Sequence, residues 1–220
     1  QVVAITTDNV AALTTAQVRA LSTDHMAAIT TEQVVAITTS QAAILTSAQV
    51  TALSTEQMAA VETRDLVALT TAVLGSLATG TVVGLTTAQA ATLTTAQLAA
   101  MSTAQVASLS TEQIAAMTSA QLSKLSTAQV SALSTAQVES IETADLRSMT
   151  TAQLRTLGTA QISALTSVQA AALTTAQVGG LTTAQVAALD TEDLTALETA
   201  QYLALNSGQI AALTTGQMAA

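Results

Sequence analysis

Apolar and polar positions follow one another along the chain in a pattern that repeats every eight residues. We label the eight positions a to h, with position a at Ile5 and at every eighth residue up to Leu213. Position a is Leu, Ile, Met or Val in all 27 octads, and position f is aliphatic except at Tyr202. No insertion or deletion interrupts this register. We therefore expect a single array over residues 1–220, because regular internal repetition overrides a domain count based on length.

The polar positions are as regular as the apolar ones. Position c is Thr or Ser in all 27 octads, and position e is Gln in 20 of them. Position h is nearly always Ala, Ser, Gly or Thr, with Ile44 and Lys124 as exceptions, while b, d and g vary and carry almost all the charge. One continuous helix is excluded because eight residues overshoot two helical turns by about 80°, so a and f would form no fixed seam. On a strand, a and f would face opposite sides.

The residues at b to e predict a new helix start in each octad. "Thr-Thr-Ala-Gln" fits a capping box, in which a hydroxyl bonds forward and a Gln three residues later bonds back. The apolar residues at a and f then occupy the two positions of a hydrophobic staple. Acidic residues at d fall in the first turn, where the helix dipole favours them; these are Asp8, Asp24, Glu32, Glu56, Glu112 and Glu192.

The identity of the capping hydroxyl is left open by the sequence. Position b tolerates Glu62, Ala78, Gly158 and Glu198, whereas c is always Thr or Ser. Either b caps the helix and c forms a buried hydroxyl ladder between octads, or c is the cap and b is an extended residue before it.

Energetics requires the octads to stack. Burying two aliphatic side chains stabilises an octad by roughly 3–6 kcal/mol, whereas ordering eight backbone units costs roughly 8–16 kcal/mol. An isolated octad is therefore unfolded, and neighbours must share their apolar layers, as in a solenoid. The predicted fold is mainly α: a repeat solenoid of very short capped helices, with a and f inside and b, d and g outside.

Composition excludes several function classes. The chain has no Cys, Pro, Phe or Trp, and its five basic residues against fourteen acidic ones give a net charge of −9. Phosphate backbones and anionic membranes would be repelled, so we expect no nucleic-acid partner. Thr and Gln interrupt every apolar run, so we expect no membrane insertion. No nucleophile–base pair, phosphate loop or metal constellation is present, so we expect no enzyme and no cofactor.

Three octads carry paired carboxylates at b and e. They are Glu62 with Asp65, Glu142 with Asp145, and Asp190 with Asp193. Two carboxylates three residues apart are candidate calcium ligands. The alternative is a repeat subtype copied by duplication, in which the carboxylates cap a helix start. We favour the second interpretation, because calcium loops normally use Gly and more carboxylates.

Two further features depart from the repeat. His25 replaces Gln at e, and with no metal-binding or catalytic partners specified we expect it to be a capping residue. Residues 72–84, "AVLGSLATGTVVG", lack Gln in two successive octads and contain three Gly. This segment has the weakest capping signal, which indicates either a bend or soft point there or neutral mutational drift.

The motif L-[ST]-T-x-Q-[VIL]-x-x resembles the octapeptide arrays of very large, repetitive, adhesin-like bacterial surface or secreted proteins. The resemblance implies an extracellular or cell-surface location and a structural or adhesive role, and it carries over no catalytic residues. We expect a segment of a fibre, filament or stalk, cut from a longer array or left as a mature product. The alternative is a solenoid that binds a protein or glycan partner through the variable b, d and g positions.

The chain ends predict self-association. The first and last octads are as apolar as the middle ones, with Ile5 and Val10 at one end and Leu213 and Met218 at the other. Polar capping repeats normally prevent such ends from stacking. We therefore expect end-to-end contacts that continue the array without closing.

Overall fold

The computed structural model describes residues 4–219, which form 27 short α-helices and no β-strand. The prediction of a mainly α fold with one short helix per octad is confirmed. The helices group into two compact units, the first ending at Ala116 and the second beginning at Met117. Each unit is a helical repeat solenoid, and the octad register of the sequence runs through both.

The first unit contains fourteen helices of four to six residues: α1 (Thr7–Ala12), α2 (Thr15–Arg19), α3 (Thr23–Ala28), α4 (Thr31–Val35), α5 (Thr39–Ala42), α6 (Ser47–Thr51), α7 (Thr55–Ala60), α8 (Thr63–Ala68), α9 (Thr71–Ser76), α10 (Thr79–Val83), α11 (Thr87–Thr92), α12 (Thr95–Ala100), α13 (Thr103–Ala107) and α14 (Thr111–Ala115).

The second unit contains thirteen helices of the same size: α15 (Ser119–Leu122), α16 (Thr127–Ser131), α17 (Thr135–Glu139), α18 (Thr143–Ser148), α19 (Thr151–Arg155), α20 (Thr159–Ser163), α21 (Ser167–Ala172), α22 (Thr175–Gly180), α23 (Thr183–Ala188), α24 (Thr191–Ala196), α25 (Thr199–Ala204), α26 (Ser207–Ala211) and α27 (Thr215–Ala219).

Most helices begin with the predicted capping box, and the structure shows that b is the cap. In α19, the Thr150 hydroxyl accepts a hydrogen bond from the backbone N–H of Gln153 at 3.1 Å, and the Thr150 N–H donates to Gln153 Oε1 at 2.7 Å. The same reciprocal pair recurs in most octads. Where b is Gly158, the backbone half survives, with its N–H 2.6 Å from Gln161 Oε1. At Gly158 and Glu198 the variation at b is tolerated because the Gln side chain at e still satisfies the N–H group of the residue before the helix.

Each helix ends without a left-handed residue. None of the described residues, glycine or other, has a positive φ. Instead the chain leaves the helix through an extended residue at a, such as Leu69 (φ −61°, ψ 140°), followed by the extended cap at b. Two extended residues therefore join successive helices, which explains why the array needs neither Gly nor Pro at its turns.

Helices three apart in sequence pack on each other in both units. Examples are α4 on α7 and α9 on α12 in the first unit, and α18 on α21 in the second. The side chains at a and f fill the interior: Leu146 at f is fully buried and Met149 at a is 3% exposed. The structure adds position e to the predicted interior, since nearly all Gln side chains at e beyond the first turn are also buried.

Position c explains the small residues at h. An added Cβ on Gly84, an h residue, would lie 2.8 Å from the Cβ of Thr55, which is a c residue 29 positions earlier. At Gly180 the corresponding distance, to Thr151, is 3.1 Å. The helix start of one turn thus lies close to the helix end of the next at Gly84 and Gly180, which favours small side chains at h. The pairing links two sequence regularities that have no local connection.

The acidic residues at d lie in the first turn of their helices, as predicted. The backbone N–H of Glu32 and the Thr30 hydroxyl both bond its carboxylate, and they lower the pKa of Glu32. Glu112 has its pKa lowered in the same way, by its own N–H and by the Ser110 hydroxyl. These carboxylates therefore supplement the caps at b.

Within each unit, helices three positions apart in the chain pack on each other, and this spacing predicts a minimum size for folding. Fragments of four octads contain one complete packed helix pair, whereas fragments of eight contain several that share layers. We expect melting temperatures to rise steeply from four to eight octads and more slowly to the fourteen octads of the first unit, as nearest-neighbour coupling requires. Circular dichroism melts of the three fragments measure this. Equal melting temperatures would contradict shared layers.

Candidate functional site

The most regular chemical feature of the interior is a ladder of Gln side chains at position e. In α19, Gln153 Nε2 donates to the carbonyl oxygens of Leu122 at 2.9 Å and Leu125 at 2.8 Å. These acceptors are f and a residues that lie 31 and 28 residues earlier in the chain. Gln185 makes the same pair of bonds to Leu154 and Leu157, both at 2.8 Å. The chain therefore returns beside itself after about three and a half octads.

A buried Gln such as Gln153 or Gln185 satisfies two helix ends at once. Its Oε1 accepts from the N–H of the cap residue of its own helix, and its Nε2 donates to carbonyls at the end of a helix in the preceding turn. Both kinds of group are left without partners by the α-helix itself. Glutamate would supply the acceptor but not the donors, since an ionised carboxylate only accepts. We call this set of contacts the amide ladder.

His25 takes the capping half of this role, as predicted. Its Nδ1 accepts from the Ser22 N–H at 3.3 Å, and its own N–H donates to the Ser22 hydroxyl at 3.2 Å. Gln17, in the octad before, caps its helix in the same way but has an exposed side chain. Both residues lie in the first turn of the array.

The first acidic octad replaces the ladder amide with a carboxylate. Asp65 is 2% exposed, and its Oδ1 accepts from the Thr39 hydroxyl of the preceding turn at 2.5 Å. Arg64 forms an ion pair with Glu62 and lies 3.8 Å from Asp65 Oδ1. The other oxygen, Asp65 Oδ2, is buried without a hydrogen-bond partner. Here the hydroxyl at position c of the preceding turn donates the inter-turn hydrogen bond, whereas elsewhere the side chain at e is the donor.

The other two acidic octads share this plan in part. The Ser119 hydroxyl donates to Asp145 Oδ1, again from position c of the preceding turn. Asp193 is 3% exposed and accepts from the Asp190 N–H at 3.4 Å. Burial raises the pKa of the Asp193 carboxyl; the Asp190 N–H opposes that shift, and the charges of Asp190 and Glu192 add to it.

The carboxylate pairs belong to separate helices. Within the second unit, α18 and α24 do not pack directly on each other but both pack on α21. Nowhere in residues 4–219 do three or more His, Cys, Asp or Glu side chains form a group that could hold a metal ion. The partners of Asp65 and Asp145 are a cation and hydroxyl donors, which suit a carboxylate that replaces Gln.

Shallow surface grooves recur at one place in the repeat. In the second unit, one groove of about 500 Å³ lies between the link Ala187–Thr191 and the helix start at Thr214 and Gln217. Another, of about 300 Å³, lies between the link Ala171–Thr175 and the helix start at Glu198 and Gln201. Acidic side chains line both, and Arg147 adds a positive charge to the smaller one.

Sequence reasoning identified the capping role of Gln but missed its two inter-turn donors. The signal was present, since Glu never occupies position e although it caps as well as Gln does. The role of the single aromatic side chain was also missed. The Tyr202 hydroxyl donates to the Leu194 carbonyl at 2.6 Å, which is an f carbonyl of the kind that accepts a ladder amide elsewhere.

These features define the chain as a helical repeat protein whose turns are joined by buried amides. It belongs to the ALTTAQ repeat family, whose model matches residues 2–39, 58–95, 90–127, 114–140, 138–175 and 186–220. The six letters correspond to positions h to e, as at residues 12–17. No curated protein matches the sequence. Across residues 4–219, the helices are too short or too polar to cross a membrane.

The amide ladder predicts that Gln153→Glu is strongly destabilising. The change keeps the capping acceptor but removes both donors, and it faces the carbonyls of Leu122 and Leu125 with a buried carboxylate. We expect a loss of about 3 kcal/mol or more at pH 7. Chemical denaturation of the full chain measures it.

Gln17→Glu is the matched control for this variant. Gln17 makes the same capping contacts with Thr14 but is exposed, so the free energy of unfolding should change by less than about 0.5 kcal/mol. Equal losses in the two variants would show that capping alone explains position e.

The raised pKa of Asp193 predicts a pH-dependent effect of Asp193→Asn. Below the ordinary pKa of 3.8, Asp193 is neutral in both the folded and unfolded states, so the variant and the parent should be similarly stable. As the pH rises through the raised folded pKa, the parent loses stability that the variant keeps. The variant should therefore be the more stable protein at pH 7, as measured by thermal melts at both pH values.

The same melts with added calcium test the metal hypothesis. Calcium should change neither protein if Asp190 and Asp193 only cap the helix. Stabilisation of the parent by calcium, absent in Asp193→Asn, would instead establish the pair as ligands.

Proposed function

We propose that the chain is a structural segment of an extracellular fibre, filament or adhesive stalk. The observation that carries this proposal is the amide ladder together with the buried layers at a and f. Every turn offers the next one the same carbonyl acceptors and the same apolar surface, so turns add in series. A protein that gains length by repeating one unit is suited to spanning distance.

The exposed surface supports a structural role rather than catalysis. Positions b, c, d, g and h, which form the surface, are mostly Ala, Ser and Thr. Before the last turn, four larger apolar side chains among the described residues are well exposed: Val35, Val67 and Val83 at position g and Val168 at position d. The acidic net charge disfavours nucleic acid and anionic membranes as partners.

Binding of a glycan or protein is the second candidate function. The recurring grooves between a link and the helix start of the next turn support it, because they combine hydroxyl, carboxylate and amide groups at a regular spacing. Polar groups in a shallow groove suit a hydroxyl-rich ligand. The structural role is the stronger proposal, because the ladder runs through most octads, whereas the charges of the two grooves differ.

Self-association is the form of assembly that we propose. In the last turn, the f side chains Tyr202, Ile210 and Met218 are 38%, 40% and 64% exposed, whereas f residues elsewhere are buried. A following turn of the same kind would cover them, whether it belongs to the same polypeptide or to a second copy. Burial of such a surface favours end-to-end addition.

Negative-stain microscopy and light scattering of the purified chain test this assembly. We expect particles that lengthen with concentration, and Met218→Lys should block the growth without unfolding the interior, because Met218 is already exposed. Val168→Lys is the control: Val168 is 67% exposed on a side surface, so end-to-end growth should persist.

The opposite outcomes would contradict the assembly proposal. A chain that stays monomeric at high concentration excludes end-to-end growth, and growth that only Val168→Lys blocks would indicate side-by-side association. Binding of a glycan by the monomer would favour the second function.

A further inference from the structure

The amide ladder lacks Gln in three successive octads at one place, which lies in the first unit. The f and a carbonyls in the octads of α4 to α7 are the acceptors for the e positions in the octads of α8 to α11. Those positions hold Asp65, Val73, Thr81 and Gln89, so only Gln89 carries an amide. Gln89 makes its bonds normally, to Met58 at 2.9 Å and Val61 at 2.7 Å.

The neighbouring turns in the same unit have no such gap. The four e positions before it are Gln33, Gln41, Gln49 and Gln57, and the four that begin at Gln89 are all Gln. In the second unit, Asp145 and Asp193 are single replacements flanked by Gln in the octads on both sides. Three amides in a row, almost one complete turn, are missing at this place alone.

The residues that replace Gln do not restore the inter-turn bonds. Val73 has no polar side-chain atom, and Asp65 accepts a bond from Thr39 while leaving Oδ2 without a partner. An unpaired buried oxygen costs free energy instead of supplying it. The carbonyls at f and a in α4 to α6 therefore face no Gln amide from the following turn.

Local capping is weak in the same three helices. Neither Glu62 before α8 nor Ala78 before α10 makes a side-chain cap bond. Thr70 caps α9, but Val73 cannot return the bond. Gly75 and Gly80 further lower helix propensity, by roughly 1 kcal/mol each relative to Ala.

Apolar packing nevertheless continues across the gap. Leu66, Leu74 and Val82 at position f are all fully buried. On the opposite side, Gln97 and Gln105 bond the carbonyls of Leu66 and Leu74 at 2.9 and 3.0 Å. Helices α8 to α10 are thus bonded firmly to the turn that follows and mainly by apolar contact to the turn that precedes.

We propose that the first unit contains a built-in opening point between α7 and α8. The octads of α1 to α7 release together as one body, while α8 to α14 remain folded. Separation between α7 and α8 breaks one ladder amide, that of Gln89, and separation between α6 and α7 also breaks one, that of Gln57, whereas an intact stretch of the ladder loses four. The junction before α8 is the weaker of the two, because α8 lacks the side-chain cap that Ser54 gives α7. The inference concerns the fold itself and does not depend on fibre formation.

Hydrogen exchange with mass spectrometry on the full chain tests this proposal. Amides of residues 4–61 should exchange together and at least tenfold faster than those of residues 62–116, with a sharp step between the two groups. A gradual increase towards the amino terminus, which fraying alone produces, or a step at another position would overturn the proposal.

Restoring the ladder is the decisive variant. Asp65→Gln, Val73→Gln and Thr81→Gln combined should slow exchange in α1 to α7 to the rate of α8 to α14 and remove the step. A persistent step, or a triple variant less stable than the parent, would contradict the proposal, because Gln is accommodated at e in 20 other octads. The single variant Thr81→Gln should partially slow hydrogen exchange in α1 to α7. An unchanged exchange rate would contradict the proposal.

Transplanting the gap is the matched control. In the restored chain, Gln97→Asp, Gln105→Val and Gln113→Thr reproduce the three replacements one turn later. The step should then move to the junction of α11 and α12. A step that fails to move would show that factors other than the ladder determine where the unit opens.

Discussion

The fold depends on one side-chain amide, that of Gln at position e, which bonds the backbone groups that the short helices leave without partners. In a helix of five residues most backbone N–H and C=O groups lack internal partners, since the first four N–H and last four C=O groups of any helix are unpaired. Gln at position e supplies an acceptor to the start of its own helix and donors to the end of a helix one turn earlier. Because of this dual contact, very short helices are stable when stacked, although each would be unfolded alone.

Small side chains make that contact possible. The Gln amide reaches the preceding turn only if the turns lie close together, and the close approach of c to h, seen where Thr55 meets Gly84, sets their separation. The array therefore has thin interior layers of Leu, Val, Ile and Met and uses no Phe or Trp. Small side chains at h and the reach of the Gln amide therefore go together in most octads, while Ile44 is accommodated at h beside the intact inter-turn bonds of Gln41.

Residues other than Gln at position e change the hydrogen bonds between turns. A single Asp at e reverses one inter-turn bond, as Ser119 and Asp145 show, while the Gln residues around it hold the turn. Three successive replacements remove almost a full turn of amides, and the consequence is a boundary of lower stability inside the first unit. In a fibre built from such arrays, the residues at position e would determine both the stability of the turns and the places where they open.

The sequence by itself determined the period, the helix starts and the interior at a and f, because capping boxes and hydrophobic staples act within one octad. It also predicted the roles of His25 and of the acids at d, which are equally local. The tertiary structure decided between b and c as the cap, revealed the Gln donors and paired c with h. It also turned the suspected soft point at 72–84 into a gap that begins at Asp65. Those features depend on contacts between residues 26 to 31 positions apart, and that spacing is fixed by how many octads complete a turn. No local interaction specifies that number; it results from packing the layers together.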